Sequence, residues 1–312
     1  WTGGTVLALS PPLLGSLNSG LTEDGAVGLL AIAMALIGHR DWRKGAAGGA
    51  LLGLCAFCGL VLTWGGAVIA SILGIGILSR HPERWKSLAA GAVSAILIAL
   101  PAALLQGARL TGEGHRLGSP SAGPEPLWPL NPWRGVDLAS YLRPGSFSAG
   151  DAIIRTHPAW LGAIAAVLAA VALWKLRSRV FAWSAALLLL LLWAPGDHLS
   201  WAGQPLGMEN PFTPLMDILP FGELINHHGR LLIPASLALS GLASLGASQV
   251  DIIRSRLPGL IVVEMILLSP VSPMLSVAPS QTPDVLHNVG DLREGPLLVL
   301  PTSGPGVHFQ RP

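Results

Sequence analysis

Charge is what this chain most lacks. Asp, Glu, Lys and Arg make up 12% of its 312 residues, against roughly 25% in soluble domains. So few charges cannot cover a water-exposed surface, which excludes an ordinary soluble globule. Basic residues never run five together and the formal net charge is +2, which excludes a nucleic-acid-binding surface. Cysteine is nearly absent. Its two copies, Cys55 and Cys58, share one apolar segment, "GLCAFCGL". A lone C-x-x-C with no second pair and no nearby His makes neither a disulfide framework nor a metal centre. In a lipid setting such thiols are small hydrophobes. Phosphate-binding glycine loops, dinucleotide fingerprints, HExxH and nucleophile elbows are missing from any credible context, so no organic cofactor is expected.

What fills the chain instead is apolar: 51% of residues are hydrophobic and the mean hydropathy is +0.57. The apolar residues gather into long segments separated by short links. A bilayer core needs about 20 apolar residues per helix, and fewer where helix ends are buried in a bundle. The segments 2–17, 25–39, 46–62, 65–79, 87–106, 158–174, 180–195, 230–249 and 257–272 meet that need. The expectation is an all-α integral membrane protein, a bundle of about 8–9 spans over residues 1–272. The first segment reads as a remnant or a re-entrant piece. The run from Gly45 to Leu78 is too long for one helix, and a break is expected near "TWGG" (63–66).

The links orient the bundle. Loops 40–45, 80–86, 175–179 and 250–256 hold 11 of the 19 basic residues, including all three Lys, and three acids. The other side, 18–24, 107–157, 196–229 and 273–312, holds 13 of the 17 acids. The positive-inside rule places the short basic loops in the cytoplasm and the long loops outside. Loops 107–157 and 196–229 are rich in Pro, Gly and Trp, and are expected as irregular backbone pinned by aromatics. Residues 273–312 read as the start of an extracytoplasmic segment. With no basic region ahead of its first apolar stretch, the chain is expected to be an internal piece of a longer protein. Small residues recur every four positions at Gly45, Gly49 and Gly53, and again at Ser240, Ser244 and Ser248. That spacing lets helix backbones approach closely where packing, not hydrophobicity, drives association.

Four places carry polar side chains suited to chemistry. Glu23 and Asp24 lie in an outer hairpin, where adjacent acids suit a divalent metal or a general base; equally, they suit a helix start capped by Thr22. Arg134, Asp137, Tyr141 and Arg143 lie in "WRGVDLASYLRPG". The first three would share a face of a short helix, either as a phosphate cradle or as an Arg134–Asp137 salt bridge. Asn226, His227, His228 and Arg230 crowd the mouth of the segment 230–249. They suit a lipid phosphate at a helix N-terminus or a plain water-facing collar. Glu264 is a lone acid within "LIVVEMILL". It is costly in lipid unless protonated or partnered, and so is a functional candidate; a Ser or a backbone carbonyl is the expected alternative partner.

The stretches "NSGLTEDGAVGLLAIAMAL", "VDLASYLRPG" with "THPAWLGAIAAV", "NPFTPLMDILPFGELINHHGRLLIPASLALSGLASLG" and "GPLLVLPTSGPGVHFQRP" together resemble bacterial polytopic proteins of the GT-C glycosyltransferase-like group, uncharacterised members included. The resemblance implies transfer of a sugar from a polyprenyl-phosphate donor at the outer leaflet, with the bilayer and that donor as partners. In that group the catalytic acid usually lies in the first outer loop, ahead of this chain. Glu23 and Asp24 therefore inherit no role. Arg134, Arg143, His227, His228 and Arg230 would be donor-phosphate or acceptor contacts. Two rival readings stand beside it. A lipid or polymer transporter would need polar residues deep in several spans, and a non-catalytic scaffold would need none.

Overall fold

A computed structural model describes residues 2–18, 25–111, 135–142, 159–202, 204–219, 228–250 and 256–268. These residues are mostly helical, in the order α1 (Thr2–Ala8), α2 (Pro11–Asn18), α3 (Val27–Ile37), α4 (Trp42–Cys58), α5 (Leu60–Leu78), α6 (Trp85–Thr111), α7 (Ala163–Leu176), α8 (Phe181–Trp193), α9 (Thr213–Asp217), α10 (Leu232–Ala247) and α11 (Leu257–Leu268). One two-stranded antiparallel hairpin, β1 (His198–Trp201) with β2 (Gln204–Glu209), lies between α8 and α9.

Among the described residues, three stretches are long and apolar enough to cross a membrane: Val61–Leu78, Pro82–Leu104 and His228–Ala247. They mark a membrane protein. The expected 8–9 full spans are not realised among the described residues. Segment 2–17 breaks at Ser10, ahead of Pro11 and Pro12, into helices of 7 and 8 residues. The 11 residues of α3 and 13 of α8 rise only about 1.5 Å each, well short of a core of roughly 30 Å. The expected break at 63–66 falls instead at Gly59, a single extended residue between α4 and α5. Thr63 and its neighbours stay helical, and the Thr63 hydroxyl bonds the Gly59 carbonyl at 3.0 Å. The hairpin 198–209 replaces part of the irregular backbone expected in 196–229, and α6 runs on to Thr111, past the expected loop start. Residues 269–312, with the expected outer segment, lie outside the described residues.

Backbone contact at small residues joins the helices. A Cβ on Gly45 would sit 2.3 Å from the Ser87 hydroxyl, one on Gly49 1.9 Å from the Gly91 carbonyl oxygen, and one on Gly53 2.7 Å from the Ala95 carbonyl oxygen. Glycines at i, i+4 and i+8 of α4 thus meet small residues at i, i+4 and i+8 of α6, in parallel. The opposite side of α4 meets α3, where a Cβ on Gly48 would lie 2.8 Å from the Ile37 nitrogen. Hydrophobic burial cannot drive such pairs in lipid; close dispersion contact does.

The centre of the molecule is α10. Of its span, 78% is buried inside the protein, against 17% of Pro82–Leu104. Gly3 of α1 packs on Ser240 and Ser244, Gly241 lies under the Trp183 ring of α8, and Gly246 touches the Leu168 backbone of α7. Ser236 and Ser240 bond the carbonyls of Leu232 and Leu237 within their own helix at 2.8 and 2.7 Å, so no polar atom of theirs is stranded by burial. Ser248, the third serine of the stripe, lies past the end of α10. By contrast, α6 exposes Val93, Ile96, Leu97, Leu100 and Leu104, the apolar face a bilayer would cover. Cys55 and Cys58 are free thiols within α4.

The glycine seam yields a direct test. Gly49→Ala forces a methyl onto the Gly91 carbonyl and is expected to lower the melting temperature in detergent by about 10 °C or more, or to prevent a monodisperse preparation. Gly4→Ala, with open space around its Cβ, is the matched control. Equal melting of both would mean that the seam does not hold α4 to α6.

Candidate functional site at the loop-bearing end

The loops meet where α8 stops. After Trp193 the chain reaches Gly196 at φ +78, a left-handed turn that glycine adopts without strain, and Gly196 donates to the Trp193 carbonyl at 3.0 Å. The chain then makes the β1–β2 hairpin and returns through Asn210. That side chain is buried and closes the hairpin base. Its Nδ2 donates to the Leu192 carbonyl at 2.8 Å, and its Oδ1 accepts from the Phe212 nitrogen at 3.1 Å. Its backbone nitrogen donates to the Asp197 carbonyl at 2.7 Å. Asn210 thus satisfies one of the orphan carbonyls at the end of α8. The Trp193 indole donates to the Phe212 carbonyl at 2.8 Å, and its ring meets Trp64 of α5 at 5.2 Å between centroids, tilted 55°.

Segment 135–142 lies on this corner. Val136 donates to the Ala194 carbonyl at 3.1 Å. Gly135 runs so close to Pro195 that a Cβ would fall 1.8 Å from the Pro195 carbonyl oxygen. Asp137 is fully buried and extended, and it caps a 3-10 turn, Leu138–Tyr141. Its Oδ1 accepts from Ala139 at 2.8 Å and from Ala202, at the tip of the hairpin, at 2.9 Å. The Tyr141 hydroxyl donates to the Leu191 carbonyl at 2.8 Å. Burial pushes its acidity down and its pKa well above the ordinary phenol range, so it stays a donor throughout physiological pH. Asp137 is extended and the helical turn begins only at Leu138, so Asp137 and Tyr141 do not share a helix face; Arg134, the third residue of the expected face, lies outside the described residues. Asp137 and Tyr141 hold the loop to α8 and to the hairpin.

The head of α10 arrives on the other side of the same corner. Residues His228–Leu231 form a 3-10 turn leading into α10. The His228 ring is buried against Gly196, where a Cβ would lie 3.3 Å from its Nδ1 and 3.5 Å from the Gly135 Cα. Arg230 is partly exposed two residues on. Both residues interact with other groups of the protein. Two segments some ninety residues apart in sequence therefore meet at Gly196, through the Gly135 backbone on one side and the His228 ring on the other. Glu23, Asp24, Arg134, Arg143, Asn226 and His227 lie outside the described residues. Asn210, Trp193, Trp64 and Gly196 are further participants, not among the residues expected from the sequence. The Asn-Pro pair at 210–211 and the Pro-Gly pair at 195–196 are turn signals that mark two of them.

Glu264 lies apart from this corner. Its carboxylate accepts from the Ala163 and Ile164 nitrogens, the second at 3.0 Å. These are the first N–H groups of α7, whose own cap position, Gly162 at φ +95, offers no side chain. The expected Ser or carbonyl partner is thus replaced by N–H donors. A carboxylate at a helix N-terminus is favoured by those donors and by the helix dipole. Among the described residues no group of three or more His, Cys, Asp or Glu gathers as metal ligands. No family model, curated protein or solved structure matches this chain.

Asp137→Ala leaves the buried Ala139 N–H and the more exposed Ala202 N–H without their acceptor and is expected to cost about 1–3 kcal/mol, seen as a lower melting temperature. Asp137→Asn, which keeps an oxygen in place, should recover part of it. Glu264→Ala should loosen α7 from α11 and speed amide exchange at Ala163 and Ile164 at least about tenfold, with Glu264→Gln intermediate. Unchanged exchange in Glu264→Ala would refute the cap.

Proposed function

We propose that this chain belongs to an inner-membrane transferase that receives a sugar on a polyprenyl phosphate, with the corner at the head of α10 gripping the donor phosphate. One observation supports this most: the loop that carries Asp137 and Tyr141 and the turn that carries His228 and Arg230 come together at Gly196, through the Gly135 backbone and the His228 ring, at the end of the bundle away from the basic loops. In the proposed orientation the basic loops face the cytoplasm and the corner meets the outer leaflet. Arg230 would supply the charge. A guanidinium has five N–H donors in a planar fork, so it can serve a protein acceptor and a phosphate oxygen together. His228, packed on Gly196, would fix the approach of the head group. Asp137, Tyr141, Asn210 and Trp193 are positioning residues that hold the loops around it. No described residue is assigned the transfer step.

A scaffold reading draws on a specific observation too: the Asp137 and Tyr141 side chains are turned to loop hydrogen bonds. A transporter is favoured less, because Glu264, the acid set within an apolar helix, is used to cap α7.

The deciding measurement is binding of a polyprenyl-phosphate sugar to the purified full-length chain. Arg230→Ala is expected to weaken binding by about 10–100-fold, the loss of a charge-assisted hydrogen bond, with its melting temperature close to wild type. Arg230→Lys should fall between. Equal binding by all three, or none by wild type, would leave the scaffold reading.

A further inference from the structure

The opposite end of the bundle has a composition of its own. Trp42, Trp85 and Trp174 stand on α4, α6 and α7 and are 56%, 57% and 72% exposed. Each is followed by a cation whose charged group lies near the preceding ring, Arg43 at 5.8 Å, Lys86 at 5.9 Å and Lys175 at 5.3 Å from the centroid. The segments carrying the three pairs are tied to one another. Arg84 donates to the Gly38 carbonyl at 2.9 Å, and the Ser87 hydroxyl to the Asp41 carbonyl at 3.4 Å. The Arg80 guanidinium reaches the carbonyls of Ser178 and Arg179. Residues 38–44, 80–86 and 175–179 together bring nine basic side chains and two acidic ones. Both acids have partners inside their own loops: Asp41 accepts from the Arg43 nitrogen at 3.0 Å, and Glu83 pairs with His81 at 3.3 Å.

Water is a poor solvent for three open indoles, and an apolar core is a poor one for the cations beside them. The boundary layer of a bilayer suits both, since an indole settles at head-group level and a long basic side chain reaches outward to the phosphates. The excess of cations selects negatively charged lipid. We propose that this tryptophan–cation collar docks the anionic phospholipid head groups of the leaflet it meets. Each ring sits at the boundary of the acyl chains, and its neighbouring cation takes a lipid phosphate. Because the three pairs stand on three helices bound together at this end, the collar also fixes the depth of the bundle in the bilayer. The inference rests on membrane placement alone and not on the chemistry proposed at the head of α10.

Native mass spectrometry of the full chain tests it, in detergent with equal phosphatidylglycerol and phosphatidylcholine of the same acyl chains. Wild type is expected to retain phosphatidylglycerol over phosphatidylcholine by at least about five-fold. The triple variant Arg43→Gln, Lys86→Gln, Lys175→Gln should bring the ratio close to one. No preference in wild type, or the wild-type preference kept in the triple variant, would overturn the proposal. Should the triple variant fail to fold, wild type alone decides: spin-labelled lipids must lose their selectivity at about 0.5 M salt, where exposed charges are screened. Selectivity indifferent to salt would overturn it as well. Neither lipid carries a polyprenyl chain, so failure here leaves the α10 site untouched.

Discussion

A helix that ends against an apolar layer exposes backbone groups that lipid cannot solvate, and the chain itself must supply their partners. Much of the polar chemistry in this protein answers that demand. Asn210 and Tyr141 serve the Leu192 and Leu191 carbonyls in the last turn of α8, and Glu264 serves the first turn of α7. Asp137 ties a loop turn to a hairpin tip. Each is a side chain far in sequence from the backbone group it satisfies, so each also fixes tertiary structure. The loops can then hold a shape at the membrane face without a soluble domain beneath them.

The second constraint is closeness. Where Gly49 meets Gly91, Gly246 meets Leu168 and Gly135 meets Pro195, backbone touches backbone with no side chain between. These contacts replace the oil-and-water segregation that organises soluble cores. They also place α10 at the centre, because its small residues accept neighbours on several sides. The 3-10 turn leading into it, with His228 and Arg230, is thereby held against α8 and the loops around Gly196.

Apolar runs and small-residue spacing made the helices legible in the sequence, and the Gly45–Gly49–Gly53 stripe marked a real seam. Helix lengths were not legible. Hydropathy does not reveal where Pro11 breaks a segment, or that Gly59 rather than "TWGG" separates α4 from α5. The hairpin escaped notice because His198–Trp201 and Gln204–Glu209 carry little alternation and owe their pairing to Asn210 and Asp137. The polar clusters were visible, yet their roles depend on partners that spacing cannot give. Asp137 and Tyr141 look like a helix face in sequence and act on a hairpin tip and on α8 in space. Glu264 looks like a stranded charge until the start of α7, about a hundred residues away, is brought beside it.

The glycine seam has a consequence for how the chain is made. Its two helices, α4 and α6, run in the same direction, so the chain must travel the full length of the bundle and return through α5 before the seam can close. Until α6 emerges, the glycine groove of α4 has no mate. The three helices therefore form one unit of assembly, and a nascent chain cut after Leu78 would leave that groove open to any small-residue helix that passes.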